Sequence, residues 1–184
     1  MPRSSVRLSY ADLLALPADG VRHELIDGEH LMSAAPSLRH QVVLRNLFLA
    51  LHDFVKPRGL GEVFFAPVDV VLSAHDVVEP DLLFVRRERL GILEERCVRG
   101  APDLAVEVTS PWTRGTDLGR KRRVYHELGF GEYWIVDPTP QTIEVLRGGD
   151  WSEPAERLRR GSGPQAFASP LFPGLLLTLD QIFE

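Results

Sequence analysis

The feature that most constrains the fold is the segment 81–85, DLLFV, which is short and wholly apolar after its first residue. An apolar run of this length without alternation is typical of a strand that is covered on both faces. The neighbouring segments predict, in chain order, a helix, three strands, a helix and two strands: 37–56, 61–73, 81–85, 103–109, 117–128, 132–137 and 141–147. This order predicts an α/β fold with a mixed β-sheet flanked by helices.

Shorter elements are expected before this core. Ser9 is a suitable cap for a helix over 9–17. Asp27-Gly28 between two short runs in 21–34 is a hairpin signal. We therefore expect an N-terminal helix and hairpin.

Two further expectations concern the strand 61–73 and the C-terminal segment 175–183. The strand 61–73 is expected to bend near Pro67, and 175–183 is interpreted as a strand or a short closing helix. The chain has 184 residues, which fits a single domain over 1–184.

Composition excludes several classes of protein. No apolar run approaches the ~18 residues of a membrane span, and the first ten residues have no apolar core of the kind that a signal peptide needs. Cys97 is the single cysteine, so an internal disulfide and a cysteine-rich metal site are excluded. We therefore expect no membrane partner and a reducing cytoplasm.

The net charge of -5 argues against strong non-specific attraction to nucleic acid, which depends on clustered Lys and Arg. A local patch can still act against the net sign. The densest basic cluster is RGTDLGRKRR, 114–123.

Lys121 lies in an unexpected place on the predicted helix 117–128. At about 100° per residue it falls in the same arc as the apolar residues Val124, Tyr125 and Leu128, whereas the neighbouring arginines point away or lie on the flank. A lysine is almost never fully buried without a partner. The alternatives are a surface pair with Asp117 at i, i+4, or a lysine whose stem alone is buried.

Glu107 interrupts the valines of the strand 103–109. Alternation places it on the face opposite Leu104, Val106 and Val108. If that face is wet, Glu107 is an ordinary surface residue. If the strand is central, as expected for a short strand that leads into a helix, the carboxylate points into the crevice where α/β folds bind ligands.

Asp81 precedes the apolar strand directly and follows Pro80. It is either a turn residue at the strand entry or a second carboxylate for the same crevice. Glu79 is a rival candidate, but Pro80 separates it from the strand, so we favour Asp81.

Asp81, Glu107 and Lys121 together predict a metal site for phosphate chemistry. Two carboxylates provide the hard oxygen ligands that suit Mg²⁺. A nearby lysine can hold an attacking water or offset charge on a phosphate.

The strings EPDLLFV, DLAVEVTSP and TDLGRKRRVYHELGFGEYWIVDP resemble the Uma family of putative restriction endonucleases, of the PD-(D/E)XK nuclease superfamily, and the likeness runs from the hairpin to about residue 147. The resemblance implies a restriction-endonuclease-like core. It also implies metal ligation by Asp81, Glu107 and the backbone carbonyl of Val108. The superfamily lysine normally lies two residues after the acidic residue, where this chain has Thr109, and the resemblance places it on the following helix at Lys121.

Two further residues match positions of this family. Glu24 resembles an acidic residue that approaches the metal site, although a hairpin Glu can equally face solvent. His40 lies on the apolar face of the helix 37–56, either as a core histidine or at the edge of the site.

The sequence therefore predicts a metal-dependent DNA endonuclease that uses Mg²⁺, with Mn²⁺ as a substitute. Duplex cleavage by this fold usually needs two sites, so a homodimer is expected. Exposed aromatics of EYWIVD or of the segment after Gly148 are candidates for its interface. The main alternative is a nucleic-acid-binding or dimerising protein with little catalysis. A hydrolase of another phosphate ester is the third.

Overall fold

The computed structural model describes residues 6–17 and 19–184 and contains both helices and sheets, as predicted. One short 3₁₀ segment, Arg87–Ile92, connects two strands. The helices, in chain order, are α1 (Tyr10–Leu14), α2 (Leu38–Arg58), α3, which consists of Arg114–Thr116, the π-helical Asp117–Lys121 and Arg122–Glu127, and α4 (Leu179–Phe183).

The strands form two larger sheets and one pair. The strands β1 to β13 are Arg22–Ile26, Glu29–Ser33, Gly61–Phe65, Asp69–Val71, Val77–Val78, Leu82–Arg86, Cys97–Arg99, Leu104–Val108, Glu132–Asp137, Thr142–Arg147, Glu156–Arg159, Ala166–Phe167 and Leu177–Thr178. The main sheet has the order β11-β10-β9-β8-β6-β3, with β8 and β9 parallel and the other pairs antiparallel. The second sheet has the order β2-β1-β5-β4-β7, and β12 pairs with β13. The predicted mixed sheet is thus confirmed.

The strand β8 is central and buried along its whole length. Its residues Leu104, Val106 and Val108 share one core cluster with the apolar face of α2. Ala105 points the other way, into a cluster that includes Val124 of α3. Both faces of the main sheet are therefore covered by helices, as the apolar strand segments predicted.

The hairpin and its preceding helix form where expected. Asp27 and Gly28 have φ values of 56° and 76°, the left-handed conformations that a two-residue hairpin turn needs. Ser9 caps α1 through a reciprocal bond with Asp12. The helix α1 is nevertheless shorter than the predicted 9–17.

The long helix α2 extends past its predicted end at residue 56. Ser37 caps its start by accepting a hydrogen bond from the His40 N–H. At the other end Pro57 lies within the last turn, and Gly59, with φ 60°, ends the helix. The left-handed glycine, rather than the proline, therefore decides the boundary.

The predicted strand 61–73 is two strands, β3 and β4, in different sheets. Pro67 lies between them and has no N–H to donate to a ladder. The strands β5 and β7 were not predicted, because runs of two or three residues are too short to show a period.

The helix α3 begins at Arg114 rather than at 117, and its π-helical segment changes which residues share a face. Leu128, expected in the buried arc, follows the end of the helix and is 37% exposed. Lys121 is buried, in agreement with its place in the apolar arc of the predicted helix.

The aromatic residues proposed for a dimer interface are buried instead. Tyr133 and Trp134 are fully enclosed, and so is most of the surface of the aromatics after Gly148: Trp151, Phe167, Phe172 and Phe183. That part of the interface prediction is wrong, because these rings complete the core of the main sheet. In the part of the chain that the structure describes, no helix is both long and apolar enough to cross a membrane.

Candidate active site

A cleft of about 700 Å³ opens beside the end of β8 where its helix begins. The predicted residues Asp81, Glu107, Lys121 and His40 all line it, and so does Val108. Glu24 is buried directly behind Lys121. The fold therefore brings together all the residues that the sequence singled out, from five separate elements of the chain.

Lys121 is 4% exposed and bridges two carboxylates. Its Nζ lies 2.9 Å from Oε1 of Glu107 and 2.8 Å from Oε1 of Glu24. Burial lowers the pKa of this amine, but the charges of Glu107, Glu24 and Asp117 outweigh burial and raise it. The amine is therefore a fixed positive charge, and the alternative of an exposed pair with Asp117 is excluded.

Glu107 is equally buried, so it is not a surface residue of a wet face. Besides Lys121, the hydroxyl of Tyr125 donates to its Oε1 at 2.8 Å. Burial raises the pKa of this carboxyl to about 8 in spite of the lysine. Among the described residues no hydrogen bond reaches Oε2, which leaves one hard oxygen available at the cleft.

Asp81 accepts hydrogen bonds on both oxygens. Arg22 donates two bonds of 2.9 Å to Oδ1, whereas His40 Nε2, at 3.0 Å, and the Val108 N–H, at 2.8 Å, donate to Oδ2. Burial alone would raise the pKa of Asp81, but the His40 hydrogen bond and the Arg22 charge lower it to about 2. Because Val108 follows Glu107 directly, the bond to its amide places the two predicted carboxylates at the same end of the sheet.

His40 lies on the apolar face of α2 and also contacts the site. Since the Asp81 carboxylate only accepts, the proton of this contact is on Nε2. Nδ1 is buried and has no partner among the described residues. His40 therefore combines the two alternatives, core residue and edge of the site.

Glu24 does not face solvent, because it is 2% exposed. Its Oε1 contacts Lys121 and accepts the backbone N–H of Glu79 at 2.8 Å. Glu79, the alternative candidate to Asp81, also lines the cleft, and its Oε2 lies 3.8 Å from Nε of Arg22. Burial raises the pKa of Glu79 to about 7. The structure thus gives Glu79 a place in the electrostatics of the cleft.

Sequence reasoning missed three residues of this cluster. Arg22 lies two positions before Glu24 on β1 and so shares its face, a signal that could have identified it. Asp117 is 2% exposed, and burial raises its pKa to about 6. Tyr125 was interpreted as core alone, and no sequence pattern shows that its hydroxyl reaches Glu107.

The buried charges of the cluster suit a divalent cation. Arg22 and Lys121 are the two permanent cations, and they stand between the carboxylates. Among the described residues no three acidic, His or Cys side chains form a ready-made metal site. The donors are nevertheless hard oxygens, and the carboxyl groups outnumber the two cations. The buried carboxylates of this cluster are Glu24, Glu79, Asp81, Glu107 and Asp117.

Four arginines of the basic cluster 114–123 have partners within the chain. Arg114 pairs with Asp137, Arg120 with Glu29 and Arg123 with Asp27. Arg122 donates to the carbonyl of Trp151. These arginines are therefore poor candidates for a continuous phosphate-binding track.

Comparisons with known proteins identify the family and the fold of this chain. A crystal structure of a putative nuclease belonging to DUF820 from Anabaena variabilis is similar to this chain, with a TM-score of 0.79 and 20% identity, over 96% of this chain and 97% of that one. No curated protein matches the chain. The model of the Uma2 family, described as putative restriction endonuclease, matches residues 10–180. The chain therefore belongs to the Uma2 family of putative restriction endonucleases.

Proposed function

We propose that this chain is a metal-dependent endonuclease that hydrolyses phosphodiester bonds in DNA, with Mg²⁺ as its metal and Mn²⁺ as a substitute. The observation that carries the proposal is the buried amine of Lys121, held between Glu107 and Glu24 beside Asp81. A charge placed so deeply is costly unless it is paired, and one partner of Lys121, Glu107, also lines the cleft. Family membership adds the expectation of nuclease chemistry.

Asp81, Glu107 and the carbonyl of Val108 are the residues that would hold the metal. When bound, Mg²⁺ polarises a phosphate oxygen and lowers the pKa of a coordinated water. Lys121 stays protonated and orients the attacking water or offsets the charge that builds on phosphorus. Glu24 fixes the position of that amine, and His40 fixes Asp81 through its Nε2 contact.

Arg22 has a separate part in this proposal. It fills the Oδ1 side of Asp81, and His40 with the Val108 amide fills Oδ2. Ligation through Asp81 would therefore require a donor to release one oxygen, and Arg22 is the donor with a second carboxylate nearby. Its second contact, 3.8 Å from Glu79, offers the guanidinium a carboxylate to move toward.

A second candidate is a nucleic-acid-binding or dimerising protein with little catalysis. The full set of hydrogen bonds on Asp81 favours it, because a saturated carboxylate is a poor ligand. The two candidates differ in one expectation: added Mg²⁺ or Mn²⁺ should support DNA cleavage by the first candidate but not by the second.

Nicking of supercoiled plasmid DNA with Mg²⁺ or Mn²⁺ tests the proposal. Wild type should nick, and Asp81→Asn, Glu107→Gln and Lys121→Met should each lose about 10²- to 10⁴-fold in rate, the range for loss of a catalytic group. Glu132→Gln is the matched control, since Glu132 is a buried glutamate that does not line the cleft. Full activity in both carboxylate variants would exclude this site. Folded wild type that binds DNA without cutting it under either metal would favour the second candidate.

We also propose a homodimer, since cuts in both strands of a DNA need two sites. We propose a reducing cytoplasm as its location, since Cys97 is the single cysteine. Sedimentation of the free protein and of its DNA complex tests the assembly. A monomer in both would contradict it.

A further inference from the structure

We infer that the substrate carries unpaired nucleotides next to the scissile phosphate, and that Trp112 stacks on one of their bases at the mouth of the cleft. This inference rests on the proposed function and specifies its substrate class. The geometry points to it through three observations: the exposed ring of Trp112, the hydrogen-bonded turn that carries this residue, and the charges around the cleft.

Trp112 is 87% exposed although it lines the cleft. The other two tryptophans, Trp134 and Trp151, are 0% and 4% exposed. An aromatic ring left in water at the edge of a polar cleft offers a stacking surface to a ligand that enters the cleft. It is five residues beyond Glu107, so its Cα lies within about 17 Å of that residue.

The loop that carries Trp112 is held in place by its own side chains. The backbone N–H of Ser110 donates to Oγ1 of Thr113 at 3.0 Å, and the Thr113 N–H donates to Oγ of Ser110 at 3.2 Å. Pro111 restricts the backbone between them. The ring is therefore presented on a defined turn, which lowers the entropy that a stacked partner must overcome.

The charges around the cleft favour an unpaired strand over a regular duplex. Duplex binding without sequence preference needs many free Lys and Arg along the phosphates, but the arginines of 114–123 are engaged within the chain. Single strands are instead bound by aromatic stacking together with a few cations. Arg39 lines the same cleft, is exposed and makes no ion pair with a described residue, so it offers a guanidinium to one phosphate.

Binding is tested without divalent metal, so that it is separate from cleavage. The probe is a mixed-sequence DNA strand of ~16 nucleotides, offered alone and as a duplex with its complement, in EDTA. Because Trp112 is the exposed tryptophan, the single strand should quench the protein fluorescence and protect it from acrylamide. Trp112→Ala should weaken single-strand binding by roughly 5- to 150-fold, the effect of losing one stacked base, whereas Trp112→Phe should restore most of it.

Leu176→Ala is the control, because Leu176 is 60% exposed and does not line the cleft. Equal single-strand affinity of wild type and Trp112→Ala, or tighter binding of the duplex than of the single strand, would overturn the inference. Wild type that stacks the single strand but never cleaves with Mg²⁺ or Mn²⁺ would uphold the stacking role of Trp112 while refuting the proposed function. Cleavage by wild type, together with unchanged single-strand binding in Trp112→Ala, would uphold the proposed function while refuting the inference.

Discussion

Two buried glutamates on neighbouring strands differ in almost everything except their burial. Glu107 on β8 is 2% exposed and Glu132 on β9 is 3% exposed. Glu132 accepts one hydrogen bond on each oxygen, from Trp134 Nε1 and Ser169 Oγ, both at 2.8 Å. Glu107 accepts from Lys121 and Tyr125 on a single oxygen.

The difference shows that a buried carboxylate does not by itself mark an active site. Neutral donors satisfy Glu132 on both oxygens, and it does not line the cleft, as expected of a structural residue. Glu107 has a charged partner, an oxygen without a donor and an opening to the cleft. These three properties, rather than burial, distinguish the proposed metal ligand.

The largest difference between the two glutamates is expected in metal binding. Glu107→Gln should weaken Mg²⁺ binding more than ~100-fold, because even residues that only support a ligand cost 10- to 100-fold. Glu132→Gln should bind Mg²⁺ as wild type does. Isothermal calorimetry of the two variants checks this, and equal heats from both would remove Glu107 from the metal site.

The two lysines of the chain provide the next comparison. Each ammonium lies 2.8 Å from a glutamate, but Lys121 is buried and Lys56 is exposed. Lys121→Met should lower the free energy of unfolding by ~3 kcal/mol, because it leaves buried carboxylates unpaired. Lys56→Met should cost less than ~1 kcal/mol.

Thermal unfolding measures both lysine variants, and the loss in Lys121→Met corresponds to a fall in Tm of about 6–12 °C. Adding Glu107→Gln to Lys121→Met should recover part of the loss without restoring DNA cleavage. Equal effects of the two single variants would mean that Lys121 is not held by its buried partners.

A smaller effect is expected at the neutral donors of Glu132. Ser169→Ala removes the hydroxyl bonded to Oε1 of Glu132 and should cost about 1 kcal/mol. Ser162→Ala, at an exposed serine, should be neutral. Urea unfolding of both variants measures the change in stability. DNA cleavage by Ser169→Ala should match that of wild type. Impaired cleavage would connect Glu132 to the site after all.

The smallest expected effect is a pH dependence. Burial raises the pKa of Glu132 above its usual 4.5, so the folded state holds this proton longer than the unfolded state. The resulting stabilisation is present below pH ~4.5 and is lost as pH rises through the folded value. Glu132→Gln should therefore lose less stability than wild type between pH ~4.5 and neutrality in urea titrations. Parallel pH profiles would show that Glu132 titrates normally.

Much of the fold was accessible from the sequence because the decisive patterns are local. The apolar strands, the Asp27-Gly28 turn and the cap at Ser37 each depend on neighbours within a few residues. Short strands such as β5 and the division of 61–73 between two sheets depend on pairing with distant segments. The π-helical turn in α3 also left no sequence signal.

The sequence by itself determined which carboxylates and which lysine are out of place, because periodicity reports the face of each residue. Only the tertiary structure decided their partners. Lys121 meets Glu24 from 97 positions earlier in the chain and Glu107 from 14 positions earlier. The tertiary structure alone also decided that Arg22 holds Asp81 and that Trp112 stays in water. Such contacts depend on how sheets and helices pack, and charge acts through space rather than along the chain.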